Sequence, residues 1–314
     1  MVLLLQYTLI FASVLILVAL GGCFAEHSGV INLGLEGIMI MGALGGALAM
    51  RYISPNVPAI VMILGVLAIS ALVGMIYSCL LAVACINFKA DQTLVGTALN
   101  LLGTAGATVI VKAINTAANP DDVSSIVQYA GAKKAFTVNL GSFEFSWFML
   151  VTALLLAASY VLLYKTRFGL RLMACGEHPQ AADSVGINVY KMRYAGVMIS
   201  GFLGGIGGLA YVLVIGSSFS ADVGGYGFLA LAVMIFGNWK PLQIFFCSIF
   251  FALFKVVGTY YTLIPFLPNF KGVEKVSNIY NMLPYVVTMI VLIATSKSSQ
   301  APKAEGIPYD KGSR

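Results

Sequence analysis

Charge is what this chain has least of. Of its 314 residues only 10% are charged, against an apolar share of 60%. A soluble domain carries about 25% charged residues, so this chain could not cover a water-facing surface. Histidine occurs only at His27 and His178, which lie in separate polar connections. Acyl-transfer or metal chemistry needs convergent groups, and no catalytic or metal-ligating set is expected. The five cysteines, Cys23, Cys79, Cys85, Cys175 and Cys247, show no metal-ligand spacing and read as small buried hydrophobes. No Gly-x4-Gly-Lys-Ser/Thr phosphate loop occurs either. ATP hydrolysis therefore cannot be assigned to this chain, and it is expected to bind no cofactor.

What is present is long apolar sequence. Residues 1–25, 52–88, 145–164, 194–221 and 276–296 contain no charged side chain. A helix crosses a hydrocarbon layer with about 20 apolar residues. The alternating polarity of a membrane strand is absent, so the spans are helical. The reading is an all-α polytopic membrane protein with about nine segments: 3–22, 30–50, 58–87, 92–112, 145–164, 194–215, 226–237, 241–262 and 279–296. The third is long enough to tilt or bend, and the seventh is too short to cross alone, at about 18 Å. The first lacks a basic n-region and reads as a retained span rather than a signal peptide.

The net charge of +6 fits membrane topology better than nucleic acid. One arrangement collects eleven Lys or Arg on one side: Lys89, those of the 165–193 loop, Lys240 and those of the tail. The other side holds six: Arg51, Lys112, Lys133, Lys134, Lys271 and Lys275. Basic residues gather in cytoplasmic loops, which puts the N-terminus outside and the C-terminus in the cytoplasm. Residues 1–296 then form the membrane domain, with 113–144 an outer loop and 165–193 the one substantial cytoplasmic loop. Residues 297–314 form a polar, disordered cytoplasmic tail.

Within the cytoplasmic loop, Pro179 suits the first turn of a short helix. Gln180, Ala181, Ala182 and Asp183 continue it, and Gly186 ends it. Such an element, flanked by glycines and arginines, lets another protein approach closely. An ordinary connector is the competing interpretation. Gly201-Phe-Leu-Gly-Gly-Ile-Gly-Gly lies inside a span with no preceding strand, which removes a dinucleotide reading. Gly201, Gly204, Gly205 and Gly208 instead permit close helix packing in lipid.

Several stretches resemble one family in the same order. Gly176-Glu-His-Pro-Gln-Ala-Ala-Asp-Ser-Val-Gly-Ile-Asn is similar to the GENPEAARYAGIN loop of bacterial ABC-importer permeases for nucleosides and simple sugars. That class includes ribose and branched-chain amino acid permeases. Asn32-Leu-Gly-Leu-Glu-Gly, the run from Gly227 to Leu242 and Met282-Leu-Pro-Tyr-Val-Val-Thr agree, as does the ending Gly306-Ile-Pro-Tyr-Asp-Lys-Gly. The compact N-terminus resembles the shorter of two non-identical nucleoside permeases, which implies a heterodimer. The resemblance implies a bacterial plasma-membrane permease moving a nucleoside, or a related sugar-containing solute, by alternating access. It implies three partners: a cytoplasmic ATPase that holds ATP and Mg, a second homologous permease and an extracytoplasmic binding protein. It also implies that Glu177, His178, Pro179, Ala181, Ala182 and Gly186 contact the ATPase. His178 and Asp183-Ser184 depart from the family pattern.

Two charges lie inside segments. Glu36 costs several kcal/mol unless paired or wetted, with insertion scales giving roughly 2.5–3.5 for an acid at mid-helix. It either lines the pathway or ties Asn32 and the backbone of a broken helix. Lys255 is expected to snorkel toward the outer surface. Residues 30–43 and 224–237 share a glycine-rich start and a short apolar run, which suggests an inverted repeat of broken helices. On that hypothesis Asn32, Glu36, Asn100, Tyr226 and Phe228 line the path, while packing or interface roles compete for the two aromatics. The alternative from another class is an ion-coupled secondary transporter, which would need intramembrane charges as ion sites.

Overall fold

The computed structural model describes residues 2–54, 57–129, 134–140, 143–215, 218–261, 280, 282–295 and 300–312. Among these, six helices are long and apolar enough to cross a membrane. They are α1 (Val2–His27), α3 (Ala59–Ala82), α4 (Gln92–Ala118), α5 (Trp147–Lys165), α8 (Val189–Ile215) and α10 (Pro241–Thr259). Three others occupy the remaining expected segments: α2 (Leu35–Tyr52), α9 (Tyr226–Phe236) and α11 (Leu283–Thr295). Among the described residues these three fall short in length or hydropathy, so six candidate spans are counted there, and the expected count of nine is not reached. Two short helices, α6 (Arg167–Glu177) and α7 (Pro179–Ser184), make up the loop after α5.

The helix starts follow local chemistry. The Leu94 amide donates to the Asp91 carboxylate at 2.9 Å, capping α4. Ser146 and Thr166 do the same for α5 and α6. The third segment ends in a π-helical turn, Val83–Asn87, followed by Lys89 in the left-handed region. The long charge-poor run thus closes in a wider, underwound turn.

Helices α1 and α8 form the centre, and glycines set how closely the others approach α8. A methyl added at Gly201 would strike Gly74 and Ser78 of α3, and one at Gly205 the Ser70 carbonyl. One at Gly208 would strike the Met39 carbonyl of α2, while Gly204 has a looser neighbour in Ile38, 3.0 Å away. Ser70 Oγ lies between the two helices it joins, 2.7 Å from the Gly42 carbonyl and 2.8 Å from that of Gly205. Close backbone approach and interhelical hydrogen bonds are what hold helices together where lipid removes any hydrophobic advantage.

The all-α expectation holds for the membrane helices, and two short ladders lie in the connections. Strand β1 (Val127–Gln128) pairs antiparallel with β4 (Ser218–Phe219), and β2 (Thr137–Leu140) with β3 (Phe143–Ser146). The first ladder ties the segment after α4 to the segment after α8, and Tyr129 reinforces it with a hydroxyl bond to the Val212 carbonyl at 2.9 Å. The C-terminal segment departs from expectation. Residues 300–312 lie fixed against the α6–α7 end of the bundle, with Tyr309 buried. Their polar composition hid the buried tyrosine and the backbone donors that anchor them.

Candidate functional site

Two assemblies gather the residues singled out in the sequence. The first is where α2 and α9 begin. Residues 28–34 run non-helically inside the bundle, so their backbone groups need partners. Gln92 and Asn100 of α4 supply them. The Ile31 amide donates to Gln92 Oε1 at 2.6 Å. Asn100 accepts from the Gly37 amide at 2.8 Å and donates to the Leu33 carbonyl at 2.8 Å. Asn32 donates to Ser200 Oγ at 2.8 Å and accepts from the Gly34 amide at 3.1 Å.

Glu36 stands in the first turn of α2 and reaches across to α9. Its two oxygens accept from the Gly225 amide at 2.8 Å and the Gly227 amide at 2.6 Å. Gly225 and Gly224 have positive φ and carry no capping side chain, so Glu36 takes the place of the missing cap. A carboxylate here meets two helix N-termini at once, each favouring negative charge. Gly227 is obligatory for this approach, because a Cβ would lie 2.5 Å from the Glu36 amide nitrogen.

The two aromatics of α9 separate. Tyr226 is buried against Phe11 and Tyr211, with ring centroids 5.9 and 4.7 Å away. Phe228 is 51% exposed. Lys255 is half-buried, and its ammonium lies 5.5 Å from the Tyr226 ring centroid, a cation–π contact.

The second assembly is the α6–α7 loop. Pro179 is the first residue of α7, as its fixed φ favours. Gly186, at φ +84°, ends it. The Gly186 amide donates to the Asp183 carbonyl and the Ile187 amide to that of Ala182, the paired bonds of a Schellman closure. Of the six residues assigned to a partner contact, Glu177, His178, Ala181 and Gly186 are exposed. Pro179 and Ala182 are buried and seat the helix against the bundle.

Beside this loop lies a cluster that the sequence reading missed. The Trp239 indole donates to the Glu26 carboxyl, and the Trp239 carbonyl receives Cys23 Sγ at 3.1 Å and His27 Nε2 at 3.0 Å. Glu305 of the C-terminal segment lies beside Glu26, with its Oε2 buried and without a hydrogen-bond partner among the described residues. Burial pushes the Glu305 carboxyl up to about 7. Only the placement of Glu26 beside a charge-free run signals this site. No group of three metal-ligating side chains occurs among the described residues.

Comparison with known proteins gives these features a context. The guanosine ABC transporter permease protein NupQ of Bacillus subtilis is 41% identical over 313 residues, covering 98% of this chain and 96% of the relative. The nucleoside ABC transporter permease protein NupC of Lactococcus lactis is 36% identical, covering 96% and 95%. NupB of the same organism, also a nucleoside ABC transporter permease protein, is 22% identical over 93% and 83%. Residues 4–295 match the family described as branched-chain amino acid transport system / permease component, and the chain belongs to that family of membrane permeases.

Proposed function

We propose that this permease carries nucleosides inward as one subunit of an ABC importer, with α7 as the element on which the ATPase acts. The observation that carries the reading is α7 itself. Four exposed positions, Glu177, His178, Ala181 and Gly186, surround a short helix whose inner face is fully seated. A rigid projection of small residues suits insertion into a groove on another protein. The nucleoside assignment is supported by NupQ and NupC, whose names give nucleosides as their substrates. On this reading the α7 end faces the cytoplasm, the N-terminus lies outside, and ATP with Mg is bound by the separate ATPase. A binding protein delivers solute from outside, and a second permease completes the path. The relation to both NupB and NupC supports a non-identical second subunit.

Alternating access needs an element that transmits the ATPase's closure and elements that keep their shape. The α2–α9 crossing supplies the latter. Asn32, Glu36 and Asn100 fasten the broken helices there, and two helix N-termini meeting at one carboxylate support the inverted-repeat hypothesis. Exposed Phe228 on the adjoining turn is the residue offered to the base of a passing nucleoside. An ion-coupled transporter finds less support. Glu36 is occupied by two amides and Lys255 by an aromatic face.

The test is a reconstituted importer carrying Ala181→Trp. Hydrolysis should continue while guanosine uptake falls at least tenfold, because the side chain blocks seating of α7 without touching the bundle. Native uptake by this variant would remove the assignment of α7.

A further inference from the structure

A helix of six residues cannot hold its own position. The inner side of α7 is covered from outside the loop: Ala182, Cys175 of α6 and Val189 of α8 are buried together with Tyr309. Tyr309 also meets Tyr190 edge-on, with ring centroids 5.4 Å apart. Its neighbours pair with charges on either side. Asp310 lies 2.9 Å from Lys89, and Lys311 lies 4.0 Å from Asp183 of α7.

The same segment reaches the opposite side of this end. The Gln300 amide donates to Asn238 Oδ1 at 2.8 Å, in the turn after α9. The Ala304 amide donates to the Gly176 carbonyl at 2.8 Å, at the end of α6. Glu305 meets Glu26 of α1, beside Trp239. Arg193 of α8 is buried and donates to the Ile307 carbonyl at 2.9 Å, while its Nε and Nη2 have no partner among the described residues. A buried guanidinium is costly unless hydrogen-bonded, so losing this carbonyl would leave it worse off. Residues 300–312 thus join α7, the start of α8, the end of α1 and the turn after α9. That turn is the far end of the helix whose start is held by Glu36.

We propose that residues 300–312 form a strap that seats α7 and carries its displacement to the turn after α9, with Tyr309 and Arg193 as positioning residues. The inference rests on α7 being the ATPase-facing element. It explains why a polar terminal segment contributes a buried tyrosine and a carbonyl to a buried arginine. Without the strap, α7 would move on its own and the bundle would not follow.

The experiment compares Tyr309→Ala, Tyr309→Phe and Ala181→Trp in the complete importer, measuring guanosine uptake and ATP hydrolysis together. Tyr309→Ala should keep hydrolysis within twofold and lose uptake at least tenfold, so that ATP consumed per solute rises. Tyr309→Phe, which keeps the ring among Cys175, Ala182 and Val189, should stay within threefold of native uptake. A native ratio in Tyr309→Ala overturns the strap; if Ala181→Trp uncouples in the same series, the reading of α7 survives. Native transport by both variants removes both. Should the alanine variant fail to assemble, amide exchange on the unmodified importer decides. The Ala304 and Ile307 amides should exchange in concert with those of Ala182 and Ile187. Unprotected exchange at Ala304 beside a protected α7 would overturn the strap.

Discussion

Two carboxylates sit in the apolar helices of this permease, and they are satisfied in opposite ways. Glu36 is held by backbone amides at a helix start, donors that are fixed and carry matching partial charge. Glu26 is held by one indole and faces a second carboxyl group, Glu305, arriving from the terminal segment. Two neighbouring buried carboxyls sit together at low cost only while at least one carries a proton. The first arrangement is built to persist through a transport cycle. The second can be made and unmade, and it lies where the strap meets the bundle.

That contrast sharpens most at Gly227, where a Cβ would press on the Glu36 backbone. Gly227→Ala should cost about 3 kcal/mol or more, since overpacking at backbone contact leaves nothing flexible to move. Thermal unfolding of the purified protein reads this directly, and an unchanged midpoint would break the idea of a fixed crossing. Glu36→Gln keeps the shape but offers one acceptor to two amides. The expected loss is about 2 kcal/mol by the same measurement.

At the other carboxylate the expected effect is a dependence on pH. Glu305 has its carboxyl raised to about 7, so the docked strap binds more protons than the released one. Docking is then strongest below the ordinary carboxylate range and weakens as pH rises through about 7. The charged or titratable groups at this site are Glu26, His27 and Cys23 on α1, with Glu177 of α6 beside His27. Protection of the Ala304 amide should fall between pH 5 and 8, and Glu305→Gln should flatten that slope. A flat profile in the native protein would erase the difference between the two carboxylates. The smallest effect is expected at Lys89, whose pairing with Asp310 is half exposed. Lys89→Ala should change stability by less than about 1 kcal/mol.

The parts legible in sequence are those set by neighbours along the chain. Charge-free runs located α1, α3, α5 and α8, and Pro179 with Gly186 bounded α7 almost to the residue, because an N1 proline and a left-handed terminator act locally. The close-packing role of Gly201, Gly205 and Gly208 was readable for the same reason. What stayed hidden depends on distance in sequence. Glu36 meets amides 189 and 191 residues away, and nothing near either end announces the partner. The contact of Lys255 with the Tyr226 ring, 29 residues away in sequence, was equally unannounced. The terminal segment looked disordered because composition does not show that Tyr309 fills a gap made by α6, α7 and α8.

The account turns on energy reaching this bundle from an ATPase rather than from an ion gradient. Labelled guanosine accumulation in proteoliposomes containing the complete importer tests that most directly. With ATP on the α7 side and no ion gradient, uptake should exceed equilibrium, and a non-hydrolysable ATP analogue should abolish it. Accumulation that follows an imposed proton or sodium gradient without ATP would contradict the account.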